Sequence, residues 1–95
     1  MSAYLNPADL PPVLEIEITA AHIAAGRKLN CRRCPAALAL RSTYSGLHWR
    51  VGYQVEVNGC ARIYQIPTDL KAFIGAFDWD NPVAPGKFTL TEAVA

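Results

Sequence analysis

The sequence lacks any apolar stretch long enough to cross a membrane, since no run approaches the roughly 18 residues that a span requires. Its first segment, MSAYLNPADLPP, has neither the basic region nor the apolar core of a secretory signal. We therefore expect a cytoplasmic protein with no membrane partner.

Cysteine is scarce, and its odd count of three excludes the dense, even framework of a disulfide-stapled secreted domain. Cys31 and Cys34 have the two-residue spacing that lets two thiolates share a zinc ion or form a disulfide at a helix start. A structural zinc site needs four ligands, and no second pair of this kind is present. We therefore predict reduced thiols, no metal and no cofactor; if zinc were bound, its ligands would include Cys31, Cys34 and Cys60.

Catalytic signatures are also missing. Neither of the glycine-rich phosphate loops GxGxxG and GxxxxGK[ST] occurs, and no serine or cysteine has a base at a spacing that indicates a nucleophile. His22 is predicted to be a packed or capping group on a short helix. Asp78 and Asp80, which flank Trp79, are predicted to lie at a solvated helix end. We expect no enzyme and no catalytic residue.

Acidic residues are absent between Ile18 and Val55, although the net charge of the whole chain is only +1. This stretch carries six of the nine basic residues, which are Arg27, Lys28, Arg32, Arg33, Arg41 and Arg50. The uneven distribution favours a negatively charged partner, either an anionic small molecule or nucleic acid.

Four of these bases directly precede a predicted helix start. Pro35 is favoured at the first helical position, which makes Cys34 the N-cap and turns the free N–H groups of the helix toward the basic segment. Such a helix start, with basic side chains beside it, suits an anion. The predicted ligand-binding residues are Arg27, Lys28, Arg32, Arg33, Cys34 and Ala36. A solvated basic loop is the alternative interpretation of the same residues.

What the sequence does contain is a series of short periodic segments. LEIEI at residues 14–18 alternates as a half-buried strand does. Thr19 is a suitable N-cap for a helix through Ala25, and Gly26 is expected to end it in the left-handed conformation. The further predicted elements are a helix from about Pro35 to Thr43, a long strand from Leu47 to Val57, a strand from Cys60 to Ile66, a helix capped by Thr68 and a last strand over residues 87–91.

The Asn-Gly pair at residues 58–59 predicts a hairpin with a two-residue turn, which opposes Val57 with Cys60. This register puts residues 62, 64 and 66 on the face of Trp49, with Arg62 reaching solvent at the hairpin end. A three-residue loop with a bulge would put residues 61 and 63 there instead. The Asn-Gly pair favours the first register.

Aromatic and apolar side chains supply the predicted core. Trp49, Tyr53 and Tyr64 are assigned to it, rather than to a stacking platform for nucleic acid, because the face of Trp49 is apolar throughout. Trp79 lies beyond the core stripe of the last helix, so we predict that Trp79 and Arg50 contact a partner. The stripe itself, with the spacing of one helix face, consists of Leu70, Phe73, Ile74 and Phe77.

In chain order the elements read β-α-α-β-β-α-β, which predicts an α+β fold with a mainly antiparallel four-stranded sheet and helices packed on one face. Residues 13–91 are expected to form a single domain. Residues 1–12, rich in proline, are expected to be an extended or disordered arm suited to a homo-oligomer contact, and residues 92–95 a tail.

Two segments, ITAAHIAAGRKLNCRRCPAALAL at residues 18–40 and FIGAFDWDNPVAPGKFTL at residues 73–90, carry a family resemblance. The stretch from about residue 16 to 90 resembles small hypothetical proteins that recur in bacteriophage and prophage genomes. The shared outline is a His-Ile pair with a glycine, a Cys-Pro that opens an Ala/Leu helix, then Phe-Ile, Phe-Asp and a Pro-Val turn. The resemblance implies a phage protein in the host cytoplasm and nothing catalytic.

The resulting hypothesis is a non-catalytic phage-type binding protein, active in counter-defence or host takeover. It would capture an anionic ligand, such as a nucleotide or phosphate, or a host protein. A nucleic-acid-binding accessory protein and a structural or oligomeric phage protein are the alternatives.

Overall fold

The computed structural model describes residues 6–59 and 61–93, which form an α+β fold with one antiparallel sheet and three α-helices. The strand order across the sheet is β1-β5-β4-β3-β2, so β1 and β2 are the edge strands. The strands are β1 Val13–Ile18, β2 Trp49–Val51, β3 Val55–Val57, β4 Arg62–Gln65 and β5 Gly86–Glu92. The helices are α1 Ala20–Ala25, α2 Pro35–Thr43 and α3 Thr68–Asp78, with a 3-10 helix at Pro7–Asp9.

The α+β class is confirmed, but the predicted four-stranded sheet is wrong, because the long alternating segment is two strands rather than one. β2 and β3 fold back on each other through residues 52–54, so that Val51 pairs with Val55 and Trp49 with Val57. Paired residues in an antiparallel ladder share a face, and each of these pairs is separated by an even number of positions. The period-2 pattern is therefore identical for one long strand and for this hairpin.

Tyr53 sits at the tip of the β2–β3 turn and is fully exposed, so its assignment to the core is wrong. The turn is closed by a hydrogen bond from the Gly52 amide to the Gln54 carbonyl, at 3.0 Å. The core assignments of Trp49 and Tyr64 are confirmed, since both are buried. The indole of Trp49 also donates to the Tyr44 carbonyl at 3.0 Å.

The β3–β4 hairpin confirms one half of the predicted register and corrects the other. Asn58 and Gly59 have positive φ angles of 48° and 75°, as an Asn-Gly turn requires. Val57 pairs with Arg62, however, so the predicted opposition of Val57 and Cys60 is wrong, and Cys60 lies outside the described residues. The loop has four residues rather than the predicted two. Because the difference is an even number, each residue of β4 still lies on the predicted face of the sheet, and Tyr64 lies with Val55 and Val57 in the core.

The core lies between the sheet and the helices α2 and α3. α2 packs on β1 and β2, and its small buried residues Ala36, Ala37 and Ala39 allow close approach. α3 contributes Leu70 and Phe73, which are buried, while Ile74 and Phe77 are half-buried and pack against the same cluster. The predicted stripe is therefore confirmed, with its two later members near the margin.

The N-cap of α1 was predicted correctly from the sequence, and the N-cap of α3 was not. Thr19 caps α1 as expected: its hydroxyl accepts from the His22 amide, and the His22 ring accepts from the Thr19 amide at 3.0 Å. Gly26 is not left-handed, with φ −69°; a Cβ there would lie 2.7 Å from the Pro35 ring, so close packing requires the glycine. The N-cap of α3 is Pro67 rather than Thr68.

Arg62 joins three parts of the chain through its guanidinium group, and only 14% of its side chain is exposed. It donates to both carboxylate oxygens of Glu92, at 2.8 and 3.2 Å. It also donates to the carbonyls of Pro7, at 2.9 Å, and of Leu10. The expectation that Arg62 reaches solvent is therefore wrong. We call Arg62, Glu92 and these two carbonyls the arginine clamp.

The arginine clamp orders residues 6–12, which were expected to be extended or disordered. Pro7–Asp9 is a 3-10 helix, Leu10 is buried, and the Pro11 carbonyl accepts from the Tyr64 hydroxyl at 2.7 Å. Residues 1–5 lie outside the described part of the chain. At the other end, Glu92 belongs to β5 rather than to a tail.

The replacement Phe73→Ala should lower the free energy of unfolding by about 3 to 5 kcal/mol. Phe73 is buried and packs edge-on against Phe88, with ring centroids 5.6 Å apart, so the change leaves a cavity. Denaturant unfolding measures the effect, and Lys71→Ala on the exposed side of α3 is the control. An unchanged midpoint for Phe73→Ala would contradict the packing of α3.

Because of the arginine clamp, the free energy of unfolding should decrease at acidic pH. The hydrogen bond from Arg62 lowers the pKa of the Glu92 carboxyl, so the clamp contributes fully above the pKa of the unfolded chain, about 4.3. That contribution is lost as the pH falls through the lower, folded value. Unfolding midpoints between pH 7 and pH 2.5 should therefore fall more steeply for the wild type than for Glu92→Gln. Parallel curves would contradict the ion pair.

Candidate functional site

Four of the six residues predicted to bind an anion lie on residues 27–33, which we call the basic loop; Cys34 and Ala36 lie at the start of α2. Asn30 organises the basic loop: its side-chain oxygen accepts from the amides of Arg32, at 3.0 Å, and Arg33, at 3.1 Å. The loop is closed by a hydrogen bond from the Arg27 amide to the Arg33 carbonyl, at 2.8 Å. Leu29 takes the left-handed conformation, with φ 56°, at the bend. The loop is thus held by its own backbone.

The basic loop lies along the outer edge of β2. The Cys31 carbonyl accepts from the amide of Val51 at 2.8 Å, which occupies an edge donor of the sheet. This contact fixes the loop between the β2–β3 hairpin on one side and α2 on the other. Leu29 and Asn30, before Cys31, line one concave surface, and Arg32, directly after it, lines another.

Acids from the end of α3 reach the basic loop, whose own part of the chain between Ile18 and Val55 contains no acid. Asp80 forms an ion pair with Lys28, and an oxygen of Asp78 accepts from the Leu29 amide at 2.9 Å. Asp78 is the last residue of α3 and is half-buried, while the Asp80 side chain is 73% exposed, so the predicted solvated helix end is confirmed for Asp80; the two contacts with the basic loop were not predicted. Residues some 50 positions apart in the chain meet here, a juxtaposition that no local pattern encodes.

The start of α2 has the predicted form but not the predicted access. Cys34 is the N-cap and Pro35 the first helical residue, as expected. Cys34 and Ala36 are nevertheless buried, with 4% and 0% of their surface exposed. Ala36 has no exposed surface and the exposed part of Cys34 lines a concave surface described below, so the two residues do not form the open helix start that was predicted.

The four predicted bases do not line one common surface. Arg27 and Lys28 line a hollow with Phe77 and Val83, where Lys28 is already paired with Asp80. Arg32 lines a different groove, described below, and Arg33 is exposed. The single anion site at the helix start is not assembled.

Arg32 instead shares a groove of about 400 Å³ with Arg41 and His48, and we call this the cationic groove. The other lining residues are Gly46, Leu47 and Trp49. No carboxylate lines it among the described residues, and neither arginine forms an ion pair with any of them. Arg41 lies in the last turn of α2 and His48 directly precedes β2, so the spacing of these residues in the sequence did not predict the groove.

A second concave surface, the hairpin cleft, lies on the other side of the Cys31 crossing and has a volume of about 580 Å³. Its inner surface includes Cys34, Val51 and Ile74. Its charged groups are Arg50, Glu56 and Asp78, with Arg50 and Glu56 ion-paired at 3.6 Å. The remaining lining residues are Leu29, Asn30, Cys31, Gly52, Tyr53 and Gln54.

The two residues predicted to contact a partner are both accessible. Arg50 lines the hairpin cleft, with 57% of its side chain exposed, and Trp79 is 82% exposed. The exposure predicted for Trp79 is thus confirmed, while its contact with a partner stays a prediction. Leu29 and Tyr53, which sequence reasoning did not propose as contacts, are similarly exposed on the rim.

The thiols differ in environment. Burial raises the pKa of the Cys34 thiol, although the nearby amides of Ala36 and Ala37 act in the opposite direction. Cys31 is half-buried in the hairpin cleft. Within residues 6–59 and 61–93, no three His, Cys, Asp or Glu side chains converge as metal ligands. Cys60, the third possible zinc ligand, lies outside these residues, so the zinc alternative stays a prediction.

Iodoacetamide should alkylate Cys31 much faster than Cys34 in the native protein, because the thiolate is the nucleophile and burial disfavours it at Cys34. Peptide mass mapping over time measures both rates. In denaturant the two rates should converge, which is the control. Equal rates in the native protein would contradict the burial of Cys34, and stoichiometric zinc by elemental analysis would contradict reduced, metal-free thiols.

No helix within the described residues is long and apolar enough to span a membrane. No protein-family model matches the chain, and neither a curated protein nor a solved structure is significantly similar to it. The two concave surfaces beside the basic loop are therefore the basis on which a function is inferred.

Proposed function

We propose that this chain is a non-catalytic binding protein that captures an anionic ligand, such as a nucleotide or a phosphate group, in the cationic groove. One observation carries the proposal: Arg32, Arg41 and His48, from three separate segments, line one groove with no carboxylate among its described lining residues. Basic side chains that converge without an internal counter-ion favour an anion from solution.

The chemistry of the groove suits phosphate oxygens in particular. A guanidinium group presents paired N–H donors that match two oxygens of a phosphate, and two arginines are available here. Gly46 lines the same groove and is exposed, and because glycine has no side chain its backbone is open to a ligand. The ligand-binding residues of the proposal are therefore Arg32, Arg41 and His48, in place of the helix start.

Capture without catalysis is supported by what the candidate catalytic groups already do. The His22 ring accepts from the Thr19 amide and contacts the Ser42 hydroxyl at 3.2 Å, so it is used in helix capping. The raised pKa of Cys34 disfavours the thiolate that a nucleophile needs. We accordingly propose that the bound anion is held and not converted.

The resemblance to small phage proteins supports a place for this capture in the cytoplasm of an infected host. Sequestering a nucleotide or similar anion would serve counter-defence or host takeover, as the sequence hypothesis holds. In that context the protein acts by lowering the free concentration of its ligand, for which binding alone suffices.

A nucleic-acid-binding accessory role is the second candidate, favoured by one specific observation. Tyr53 is fully exposed beside Arg50, and an exposed aromatic ring next to a guanidinium can stack a single-stranded base. Arg27 and Arg33 add exposed positive charge on the basic loop. Binding that requires several nucleotides would favour this role over capture of a free nucleotide.

Calorimetric titration with phosphate, mononucleotides, cyclic dinucleotides and short oligonucleotides at low salt tests the proposal. At least one anion should bind more tightly than about millimolar, and Arg32→Glu or Arg41→Glu should weaken it by at least about tenfold. Binding should also weaken as salt is added.

The control variant is Lys71→Glu, which makes the same charge change at an exposed position outside the cationic groove. Its affinity should match that of the wild type. If no anion binds, or if all three charge-reversed variants bind equally well, anion capture in the groove is wrong. Affinity that appears only with oligonucleotides and depends on Tyr53 would favour the accessory role.

A further inference from the structure

We propose that the hairpin cleft is a docking site for a segment of a partner protein that presents a lysine or arginine side chain between apolar side chains. The proposal goes beyond anion capture, because it concerns a different surface with the opposite charge preference. It is carried by the shape, the charge and the rim of the cleft.

The shape suits a side chain that is apolar along its length and polar at its end. The inner surface includes Val51 and Cys34, both buried, and the half-buried Ile74. The polar groups Asn30 and Gln54 lie on the lining as well. A volume of about 580 Å³ falls within the range of ordinary ligand pockets. The aliphatic stem of a lysine or arginine can pack on such a surface while its charged end reaches a carboxylate.

The charges select a cation. Arg50 is paired with Glu56, so its charge is already compensated within the cleft. Asp78 is half-buried, and one of its oxygens accepts from the Leu29 amide, yet no described residue forms an ion pair with it. The formal charge of the lining residues is therefore −1, from one base and two acids. A phosphate group would be repelled here, whereas an ammonium or guanidinium group would complete the arrangement.

The rim indicates that the occupant extends beyond the cleft. Leu29 is 81% exposed and Tyr53 fully so, and both line the cleft. Exposed apolar side chains of this size next to a concave surface are typical of protein interaction sites. A free metabolite held inside the cleft would leave them uncovered, so we assign the site to a segment of a protein.

The aromatic rim also fits the proposed charge. A cation in the cleft can contact the face of the Tyr53 ring, which lines the same cleft, and such a contact is favourable when it is partly shielded from water. Tyr53 is positioned at the hairpin tip to cover a segment lying in the cleft. The partner residue is thus an arginine or lysine with an apolar neighbour for Tyr53.

A titration of isotope-labelled protein with three capped tetrapeptides, followed by amide chemical shifts, tests the docking site. The peptides are Leu-Arg-Tyr-Leu and its versions with glutamine or glutamate in place of arginine. The arginine peptide should shift the signals of Leu29, Gly52 and Tyr53. Its affinity should exceed that of the glutamine peptide by about tenfold, the gain expected of one charge-assisted hydrogen bond.

Two isosteric variants separate charge from folding. Asp78→Asn keeps an oxygen that can accept from the Leu29 amide but removes the charge, so it should abolish the preference for arginine while leaving the unfolding midpoint near that of the wild type. Glu56→Gln should weaken the preference. The control is Glu17→Gln, which removes one charge at an exposed position of β1 and should leave the preference for the arginine peptide intact.

Other results would overturn the docking site. Equal affinity of the three peptides, shifts confined to residues outside the cleft, or no shift at millimolar peptide would each do so. An arginine preference that survives Asp78→Asn would place the cation elsewhere. Sedimentation velocity provides the last check: a dimer that buries the cleft and resists the arginine peptide would make a second copy the occupant. Loss of anion binding in Arg32→Glu bears on the cationic groove alone, so the two proposals fail separately.

Discussion

The arginine clamp is the contact on which the closure of this small fold depends. Burying a guanidinium group is costly unless its N–H groups find partners, and Arg62 makes four hydrogen bonds, two to Glu92 and two to carbonyls from the other end of the described chain. The ring of Tyr64 lies 5.4 Å below it. One side chain thus ties the first described segment, the β3–β4 hairpin and the end of β5 to one another.

The same principle, a charged group satisfied by a distant partner, shapes the region of the candidate sites. Asp78 and Asp80 draw the basic loop toward the end of α3, and Cys31 fixes it against β2. The two concave surfaces therefore differ in charge. The lining of the cationic groove has two arginines and no acid, whereas the lining of the hairpin cleft has two acids and one arginine. Two surfaces of opposite preference lie a few residues apart because a single loop divides them.

The parts of this structure that are encoded locally could be predicted from the sequence. Pro35 after Cys34 marks a helix start, Thr19 with His22 marks another, and alternation around Trp49 marks the buried face. The break of the long strand at residues 52–54 could not be predicted, because a hairpin of the same parity preserves the alternation. Gly26 was predicted to take a left-handed conformation, but the structure requires glycine there because of its close contact with Pro35. That contact depends on how α1 and α2 pack, which the local sequence does not show.

The site was harder to predict than the fold because it is built from long-range contacts. Counting charges along the chain identified a basic segment. In the folded structure, however, Asp80 from the end of α3 lies beside Lys28 and compensates part of that charge. Proximity to a helix start identified Ala36, but packing buries it. The convergence of Arg32, Arg41 and His48 depends on the turn between α2 and β2, for which the sequence offers no periodic signal.

The bond between the Cys31 carbonyl and the Val51 amide also has a consequence for solubility. An uncovered edge strand offers unpaired backbone groups to other chains and promotes aggregation, and the basic loop covers part of the β2 edge. The residues between the two proposed binding surfaces therefore also shield the sheet. A change that loosens the loop would expose this edge and lower the amount of protein that stays in solution.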